Sequence, residues 1–331
     1  MGQSPVDSHR PRSFSAGRRA LYWRGLGALI LLLTILYLGI GGMAASQLTL
    51  PKRVFDPSLS PAAYNLSYEN LSIPARNDQL QIAAWYIPSD ENRRAIILVH
   101  GRDNSRTNGF VDHFVSFANV LHEAGFSVLM IDLRGHGQSA DSRYYFGLRE
   151  RWDILGAVDW LEARGYQPGT IGVLGYSLGA ASVIGAASEE QDIGAIWIDS
   201  AYADVKSVIE GSWREESGLP LAFLYSTQLM ARFLYGFDIT ASRPIDEIAG
   251  IAPRPIYMAH CREDRMIPIA HMDRLLAVAS NTQTWIIPDC DQHKLPEDIV
   301  PEKYNHHALG YNLQPVEYEQ RVIQFFDESL E

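Results

Sequence analysis

Residues 171–185 read IGVLGYSLGAASVIG, and this stretch decides the fold. The apolar run at 170–174 predicts a strand, and the small residues of 178–188 predict a helix. Between them lies the pattern Gly-x-Ser-x-Gly, centred on Ser177. A sharp strand-to-helix turn crowds the backbone, and glycines relieve that crowding. The context therefore predicts that Ser177 projects from the turn as a nucleophile, at a helix N-terminus that favours negative charge.

Strands and helices alternate on both sides of this stretch. Apolar runs predict strands at residues 64–72, 80–87, 95–99, 127–131, 170–174, 193–198, 255–259 and 284–287. Helical spacing predicts helices at residues 110–124, 152–164, 178–188, 269–280 and 315–330. Alternation of this kind indicates an α/β fold, with a mostly parallel sheet covered by helices on both faces. The first two strands are expected to form a hairpin.

Residues 204–238 break this rhythm. The segment is helix-like, rich in Leu, Phe, Tyr and Trp, and longer than a simple crossover between two strands needs to be. We interpret it as a small helical cap over the site.

Charge is distributed unevenly along the 331 residues. The net charge is −11, but the first 45 residues hold five arginines and one acidic residue, so the remainder carries −15. Binding to nucleic acid needs a basic surface that displaces counterions from phosphates. The acidic body therefore excludes that class of function.

Residues 25–45 contain no charged side chain. A helix of 21 residues is long enough to cross the hydrocarbon core of a bilayer. The arginines of residues 1–24 predict a basic cytoplasmic tail, a single-pass membrane protein, and a body on the extracytoplasmic side. A signal peptide cleaved near Ser46 is the alternative. Residues 46–63, with three prolines, are interpreted as a stiff linker.

The chain has two cysteines, Cys261 and Cys290, and each follows a predicted strand near the end of the sheet. An extracytoplasmic compartment permits a disulfide between them. Two buried free thiols remain the alternative.

An oxyanion hole in such a fold uses two backbone N–H groups. One belongs to the residue after the nucleophile, which is Leu178. The other comes from the loop that follows the strand 95–99, where Arg102 is the expected donor through its backbone. We interpret the nearby His100 as a structural residue that braces this loop.

Residues 132–139 read DLRGHGQS, which resembles the D-x-R-G-x-G-x-S loop of the α/β-hydrolase superfamily. Together with His100-Gly101 and the Ser177 turn, the resemblance covers about residues 64–331. It is closest to esterases, lysophospholipases and serine-aminopeptidase-like members. The resemblance implies an α/β-hydrolase fold, and it implies that the loop at 132–139 is structural.

The acidic member of the expected triad lies after the strand 255–259. The family pattern G-x-x-D-x-x-V-P places it four residues before Pro268, at Asp264, although Cys261 stands where the family has glycine. Glu263 is a weaker candidate. Asp199 and Asp204, after the preceding strand, are the fallback acids.

Three histidines follow the last predicted strand. His307 precedes Tyr311 and Pro315 at a spacing similar to that of the family, so it is the expected general base, and residues 291–305 then form an insertion. His293, which lies closer to the strand end, and His306 remain alternatives.

These residues predict a serine hydrolase that cleaves a carboxylic ester or thioester through an acyl-enzyme, with Ser177, Asp264 and His307 as its triad. A carboxylesterase or a lysophospholipase-like enzyme is expected, acting on a small-molecule or lipid acyl substrate. Amide hydrolysis of the serine-aminopeptidase type and a non-catalytic binding protein are the alternatives. No metal-ligand spacing and no dinucleotide motif appears, so no cofactor is expected.

Overall fold

The computed structural model describes residues 16–90, 93–295 and 306–331, and its centre is a sheet of eight strands. The strands are β1 (Glu69–Pro74), β2 (Gln81–Ile87), β3 (Ala95–Val99), β4 (Ser127–Ile131), β5 (Ile171–Tyr176), β6 (Ile193–Asp199), β7 (Ile256–Cys261) and β8 (Thr282–Ile287). Their spatial order is β1-β2-β4-β3-β5-β6-β7-β8. The hairpin β1–β2 and the pair β2–β4 are antiparallel, and all other neighbours are parallel.

Helices cover both faces of the sheet. The longer ones are α1 (Ala16–Thr49), α2 (Phe114–Glu123), α3 (Glu150–Ala163), α4 (Leu178–Glu189), α5 (Val205–Ser217), α6 (Ala222–Tyr235), α7 (Ala270–Leu276) and α8 (Pro315–Ser329). Short helical turns lie at Gly109–Asp112, Pro244–Glu247 and Gly310–Leu313, and 3-10 turns at Pro61–Tyr64, Ile248–Ile251 and Gln292–Lys294.

Two apolar layers sandwich the sheet. Helices α3, α4 and α7 pack on one face, and α2 and α8 pack on the other. Along β3, alternate side chains join opposite layers: Ile97 and Val99 face α3 and α4, whereas Ile96 and Leu98 face α2 and α8. This two-residue alternation is the geometry of a strand buried on both sides. The predicted mostly parallel sheet with helices on both faces is confirmed.

Several element bounds differ from the predicted ones. Strand β1 begins at Glu69 rather than at residue 64, because a 3-10 turn that opens with Pro61 occupies residues 61–64. Helix α2 begins at Phe114 rather than at residue 110, because Phe110, Val111 and Asp112 all have positive φ angles. Both differences lie at the start of an element and leave the order of strands and helices unchanged.

The predicted cap segment, residues 204–238, contains the two helices α5 and α6. The side chain of Asp204 accepts a hydrogen bond from the backbone N–H of Ser207 at 2.9 Å and so caps α5. Gly218 and Gly236 end the two helices in the left-handed conformation, which is favourable for glycine.

Helix α1 is longer than the predicted span of residues 25–45. It continues to Thr49 and so takes up the first four residues of the predicted linker 46–63, which is a correction to that boundary. Pro51 explains where it ends, because the residue before a proline disfavours helical geometry. Ala45 and Thr49 are fully buried, so the end of α1 is part of the folded body. Residues 1–15 of the predicted basic tail lie outside the described residues.

Cys261 and Cys290 form a disulfide, with their Cα atoms 5.6 Å apart. Cys261 is the last residue of β7, and Cys290 lies three residues after the end of the neighbouring strand β8. The bridge therefore ties together the loops that leave two adjacent strands. The alternative of two free thiols is wrong.

Candidate active site

Ser177 lies at the turn between β5 and α4, at the carboxyl end of the central strands. Its backbone adopts φ 55° and ψ −121°, a region that non-glycine residues seldom occupy. The flanking glycines make the turn physically possible. A Cβ on Gly175 would lie 2.7 Å from the backbone of Gly179, and one on Gly179 would lie 2.6 Å from the carbonyl oxygen of His100.

Ser177, His307 and Asp264 form one hydrogen-bonded chain. The Ser177 hydroxyl lies 2.8 Å from Nε2 of His307, and Nδ1 of His307 lies 2.6 Å from Oδ2 of Asp264. The other carboxylate oxygen of Asp264 accepts a hydrogen bond from the backbone N–H of Ile267 at 2.8 Å. The structure thus brings together three residues that are separated by 87 and 43 positions along the chain.

The surroundings of His307 favour its charged form. Burial by itself lowers the pKa of His307, and this is the largest single effect. The charge and hydrogen bond of Asp264, together with the charge of Asp199, outweigh burial, so the pKa of His307 is raised above its usual 6.5. The imidazole that lies against the Ser177 hydroxyl is therefore more basic than a free histidine side chain.

The other predicted acids have partners of their own. Asp199 is buried at the end of β6, where burial raises its pKa to about 6, and it accepts a hydrogen bond from the Tyr318 hydroxyl at 3.0 Å. Asp204 caps α5 and pairs with Arg274 at 2.7 Å. Glu263 accepts a hydrogen bond from the backbone N–H of Cys290 at 3.0 Å. Of these, Asp199 still raises the pKa of His307 through its charge, an effect that the sequence does not predict.

The rival histidines lie elsewhere. Nδ1 of His306 accepts a hydrogen bond from the backbone N–H of Gln292 at 3.1 Å, which ties its ring to the turn after β8. His293 is an exposed residue of that same turn. Residues 296–305 of the predicted insertion lie outside the described residues.

The loop after β3 lies against the nucleophile. A Cβ on Gly101 would lie 3.3 Å from the Cβ of Ser177, so the next residue, Arg102, is also close to it. The backbone N–H groups of Arg102 and Leu178 donate to no backbone carbonyl within the described parts of the chain. The guanidinium of Arg102 points to the cap, where it lies 3.3 Å from Glu216. The side chain of Arg102 is therefore engaged with the cap, while its backbone follows Gly101 beside Ser177.

His100 and the loop at residues 132–139 brace this arrangement. Nε2 of His100 accepts a hydrogen bond from the N–H of Leu133 at 3.0 Å, and burial lowers the pKa of His100 to about 4. Asp132 accepts from the backbone N–H of Arg106 and from its guanidinium, and Arg134 is paired with Asp153 at 2.6 Å. These buried contacts agree with the structural role that the sequence predicts.

A cavity of about 660 Å³ opens above Ser177 and His307. Apolar side chains of the cap form much of its wall, among them Val205, Ile209 and Trp213. The end of α1 supplies another part, through Ala44, Gln47 and Leu48. The sequence does not predict this contribution, because residues 46–63 carry no pattern that indicates contact with the body.

Two groups of side chains have atoms close enough to hold a metal ion. One consists of Asp291, His293 and His306, and the other of Glu162, Glu190 and Asp192, with the ligand atoms of each group within 4.8 Å of one another. None of these residues lines the cavity above Ser177. Ser177, His307 and Asp264 belong to neither group.

Comparison with known proteins gives consistent similarities. Residues 90–248 match the family model described as serine aminopeptidase, S33. The Escherichia coli (strain K12) protein YfhR is 26% identical over 255 residues, which cover 75% of this chain and 81% of that protein. The lysophosphatidylserine lipase ABHD12 of Macaca fascicularis is 27% identical over 232 residues, 65% of this chain but only 53% of that protein.

Solved structures extend the similarity to the whole body. The Pyrococcus furiosus esterase Pf2001 superimposes with a TM-score of 0.64 at 21% identity, covering 85% of this chain and 99% of that one. The structure of Est1E from Butyrivibrio proteoclasticus with bound ferulic acid gives a TM-score of 0.55 at 18% identity and covers 78% of this chain. At these identities the likeness shows the fold, which is the one that the sequence predicts.

Proposed function

We propose that this chain is a serine hydrolase of the α/β-hydrolase superfamily that cleaves carboxylic esters or thioesters through an acyl-enzyme. The observation that carries the proposal is the hydrogen-bonded chain from Ser177 through His307 to Asp264. Nucleophile, base and orienting acid are each within hydrogen-bond distance of the next, which is the arrangement that nucleophilic catalysis requires.

In the proposed reaction, Ser177 attacks the carbonyl carbon of the substrate while His307 takes the hydroxyl proton. The developing oxyanion is held by the backbone N–H groups of Arg102 and Leu178, and each such donor contributes about 3–4 kcal/mol to transition-state stabilisation. Asp264 keeps the imidazole oriented and stabilises its cation. His307 then protonates the leaving group, and water, activated by the same histidine, releases the acyl group from Ser177.

The lining of the cavity supports an acyl substrate. Val205, Ile209 and Trp213 provide an apolar wall, and about 660 Å³ is within the usual size range of small-molecule sites. The names of two similar proteins, a lysophosphatidylserine lipase and an esterase, point in the same direction. We therefore place a carboxylesterase or lysophospholipase-like activity first.

Amide hydrolysis is the second candidate, and one observation favours it. Glu215 and Glu216 of the cap line the cavity, where an acid could receive a substrate amine. Glu216, however, is paired with Arg102 at 3.3 Å, which offsets its charge. Among the described residues, Glu215 is then the cap acid that lines the cavity without an ion pair. The apolar wall is more extensive than this one charge, so the ester reaction is placed first.

We further propose that α1 is a retained anchor that places the body on the extracytoplasmic side of a membrane. Ala44 and Ala45 are buried, so cleavage near Ser46 would remove part of the packed body and expose what these residues cover. The disulfide Cys261–Cys290 suits an oxidising compartment. The intact mass of the protein from a membrane fraction tests this, since a chain that starts near residue 46 contradicts it.

A fluorophosphonate probe tests the chemistry directly. We expect an adduct on the wild-type protein and on Ser212→Ala, which removes another serine that lines the cavity, but none on Ser177→Ala. Failure to label the wild type would favour the non-catalytic alternative. A panel of p-nitrophenyl esters of graded chain length, assayed beside aminoacyl amides, distinguishes ester hydrolysis from amide hydrolysis.

A further inference from the structure

The outward face of cap helix α6 carries an apolar stripe. Leu221, which immediately precedes the helix, and Tyr225, Leu229 and Phe233 follow one another at intervals of four residues and are between 53% and 79% exposed. None of them belongs to either apolar layer of the described body. A soluble protein seldom leaves a contiguous row of large apolar side chains in water, so the stripe is expected to have a partner.

The long helix α1 lies directly beside this stripe. The hydroxyl of Tyr37 donates to the carbonyl oxygen of Ala222 at 2.6 Å, and Gly41 lies against Ser226. Gly42 faces Met230 and Leu234 further along. The residue numbers of the contacts rise together along α1 and α6, so the two helices run parallel.

The spacing of these contacts fixes where the stripe faces. Residues 222, 226, 230 and 234 touch α1, and each stripe residue comes one position earlier. One position corresponds to about 100° around a helix. The stripe therefore flanks α1, and whatever surrounds α1 at this level also contacts the stripe.

The length of the charge-free stretch of α1 indicates what surrounds this helix beside the stripe. The charge-free stretch runs from residue 25 to residue 45, but residues 37–45 lie alongside α6. The 12 residues from 25 to 36 that extend beyond α6 span only about 18 Å, against a hydrocarbon core of about 30 Å. Residues 37–45 must supply the rest of the crossing, so α6 has to enter the same leaflet with them.

We propose that α6 docks its stripe, Leu221, Tyr225, Leu229 and Phe233, into the leaflet of the membrane that α1 crosses. The acyl-chain layer of that leaflet is the partner of the stripe, and Tyr225 suits the boundary because it joins an apolar ring to a polar hydroxyl. The inference rests on the proposed function in one respect, the retained anchor.

Docking in this way also defines the substrate class. The cavity above Ser177 is bounded on one side by the end of α1 and on another by the cap, through Leu48 and Ile209. With α6 in the leaflet, these walls stand at the membrane surface. The substrates are then amphiphiles that carry an acyl chain and pass from the bilayer into the cavity without crossing water.

The full-length chain in phosphatidylcholine vesicles provides the test. Tyr225→Cys and Phe233→Cys each introduce one reactive thiol for an environment-sensitive NBD label, because both native cysteines are joined in a disulfide. Val316→Cys, on the exposed start of α8, is the matched control. We expect emission at shorter wavelength and quenching by doxyl-labelled lipid at residues 225 and 233 but not at 316. Labels at 225 and 233 that resemble the one at 316 would overturn the proposal.

A second copy of the chain is the competing occupant of the stripe. Lowering the protein-to-lipid ratio separates the two cases. A short emission wavelength at residues 225 and 233 that persists at one chain per vesicle supports docking to lipid. If the short emission wavelength disappears as the protein-to-lipid ratio is lowered, and doxyl lipid does not quench the labels, the stripe mediates self-association. That result contradicts the proposal.

An activity measurement tests the consequence for the substrate. In the double variant Tyr225→Ser/Phe233→Ser, hydrolysis of a long-chain lysophospholipid carried in the vesicles should fall by about tenfold, the effect of losing 1.4 kcal/mol of apolar burial. Hydrolysis of water-soluble p-nitrophenyl acetate should not change, and Val316→Ser should affect neither substrate.

The two measurements fail independently. If the labels enter the lipid but the wild type hydrolyses neither ester, the docking stands and the proposed chemistry is wrong. If both esters are hydrolysed while the labels remain in water, the chemistry stands and the docking is wrong. An equal loss on both substrates in the double variant would also contradict delivery from the bilayer.

Discussion

The carbonyl oxygen of Thr49, the last residue of α1, accepts a hydrogen bond from the backbone N–H of Tyr144 at 3.1 Å. Tyr144 lines the cavity above Ser177, so this bond joins the apolar N-terminal helix to the wall of the candidate active site. Arg143 strengthens the junction, because its guanidinium donates to the carbonyl oxygen of Ser46 at 3.0 Å. Substitutions in α1 should therefore affect the stability of the body.

Gly41→Leu should destabilise the contact between α1 and α6. A Cβ at this position would lie 2.5 Å from the hydroxyl oxygen of Ser226, and overpacking of this kind costs about 1–3 kcal/mol. Thermal unfolding of the full chain in detergent measures the effect. Gly39→Leu is the matched control, because apart from its chain neighbours and the backbone of its own helix no described atom lies within 4 Å of its Cβ position. Equal Tm values for the two variants would contradict the contact.

His307→Ala should abolish turnover, whereas His293→Ala should leave it close to wild type. Among the described histidines, His307 is the one whose Nε2 lies 2.8 Å from the Ser177 hydroxyl, and loss of the base costs about 10⁴-fold or more in kcat. Steady-state hydrolysis of a p-nitrophenyl ester by each purified variant provides the comparison. The reverse ranking would move the general base to the turn after β8.

Asp264→Asn should lower kcat by about 10⁴-fold, because the amide cannot hold the required imidazole tautomer. Asp204→Asn is the control: it weakens a helix cap and an ion pair, so we expect about 1 kcal/mol less stability and little change in kcat. Circular dichroism establishes that both variants fold. A larger kinetic loss in Asp204→Asn would show that the acid was wrongly assigned.

The acid limb of the pH–rate profile should lie above pH 6.5. His307 accepts a proton only when it is neutral, and its pKa is raised above that value, so kcat/KM falls as the pH drops through this raised pKa. In Asp264→Asn the opposing effect of burial prevails, and the limb should move below that of the wild type. An unmoved limb in this variant would contradict the assigned cause.

The same pKa shift predicts the sign of a stability effect. The folded chain binds a proton at His307 more tightly than the unfolded chain does. The stabilisation is therefore complete below the unfolded pKa and is lost as the pH rises through the folded pKa. Unfolding by urea at several pH values measures this, with His307→Ala as the reference.

Removal of the disulfide through Cys261→Ala/Cys290→Ala should cost about 3–4 kcal/mol, the chain-entropy value for a loop of about 30 residues. The Asp264 loop begins at Cys261, so kcat should also fall, by a smaller factor than in Asp264→Asn. Urea denaturation gives the first quantity and ester hydrolysis the second. Unchanged urea stability would mean that the bridge contributes nothing to the fold.

Much of the fold and part of the site could be predicted from local patterns. Residues 170–188 contain a strand, two spaced glycines around Ser177, and a helix, and each of these features is set by neighbours in the chain. Repetition of the strand–helix alternation then determined a mostly parallel sheet, because parallel strands need crossover helices. The order of the strands did not follow from these patterns.

Long-range choices needed the tertiary structure. Asp264, His293, His306 and His307 are all chemically suitable residues, and only the packing of the loops after β7 and β8 decides which of them meet at Ser177. The effect of the Asp199 charge on the pKa of His307 likewise depends on how distant parts of the chain pack together.

The amino-acid sequence by itself determined that Ser177 occupies a strand-to-helix turn and that residues 25–45 form an apolar helix, because both properties depend on neighbouring residues. Only the tertiary structure decided that the end of this helix forms a wall of the cavity and flanks an apolar stripe on α6. Such contacts join positions almost 200 residues apart, and their energy depends on complementary shape, which no local pattern encodes.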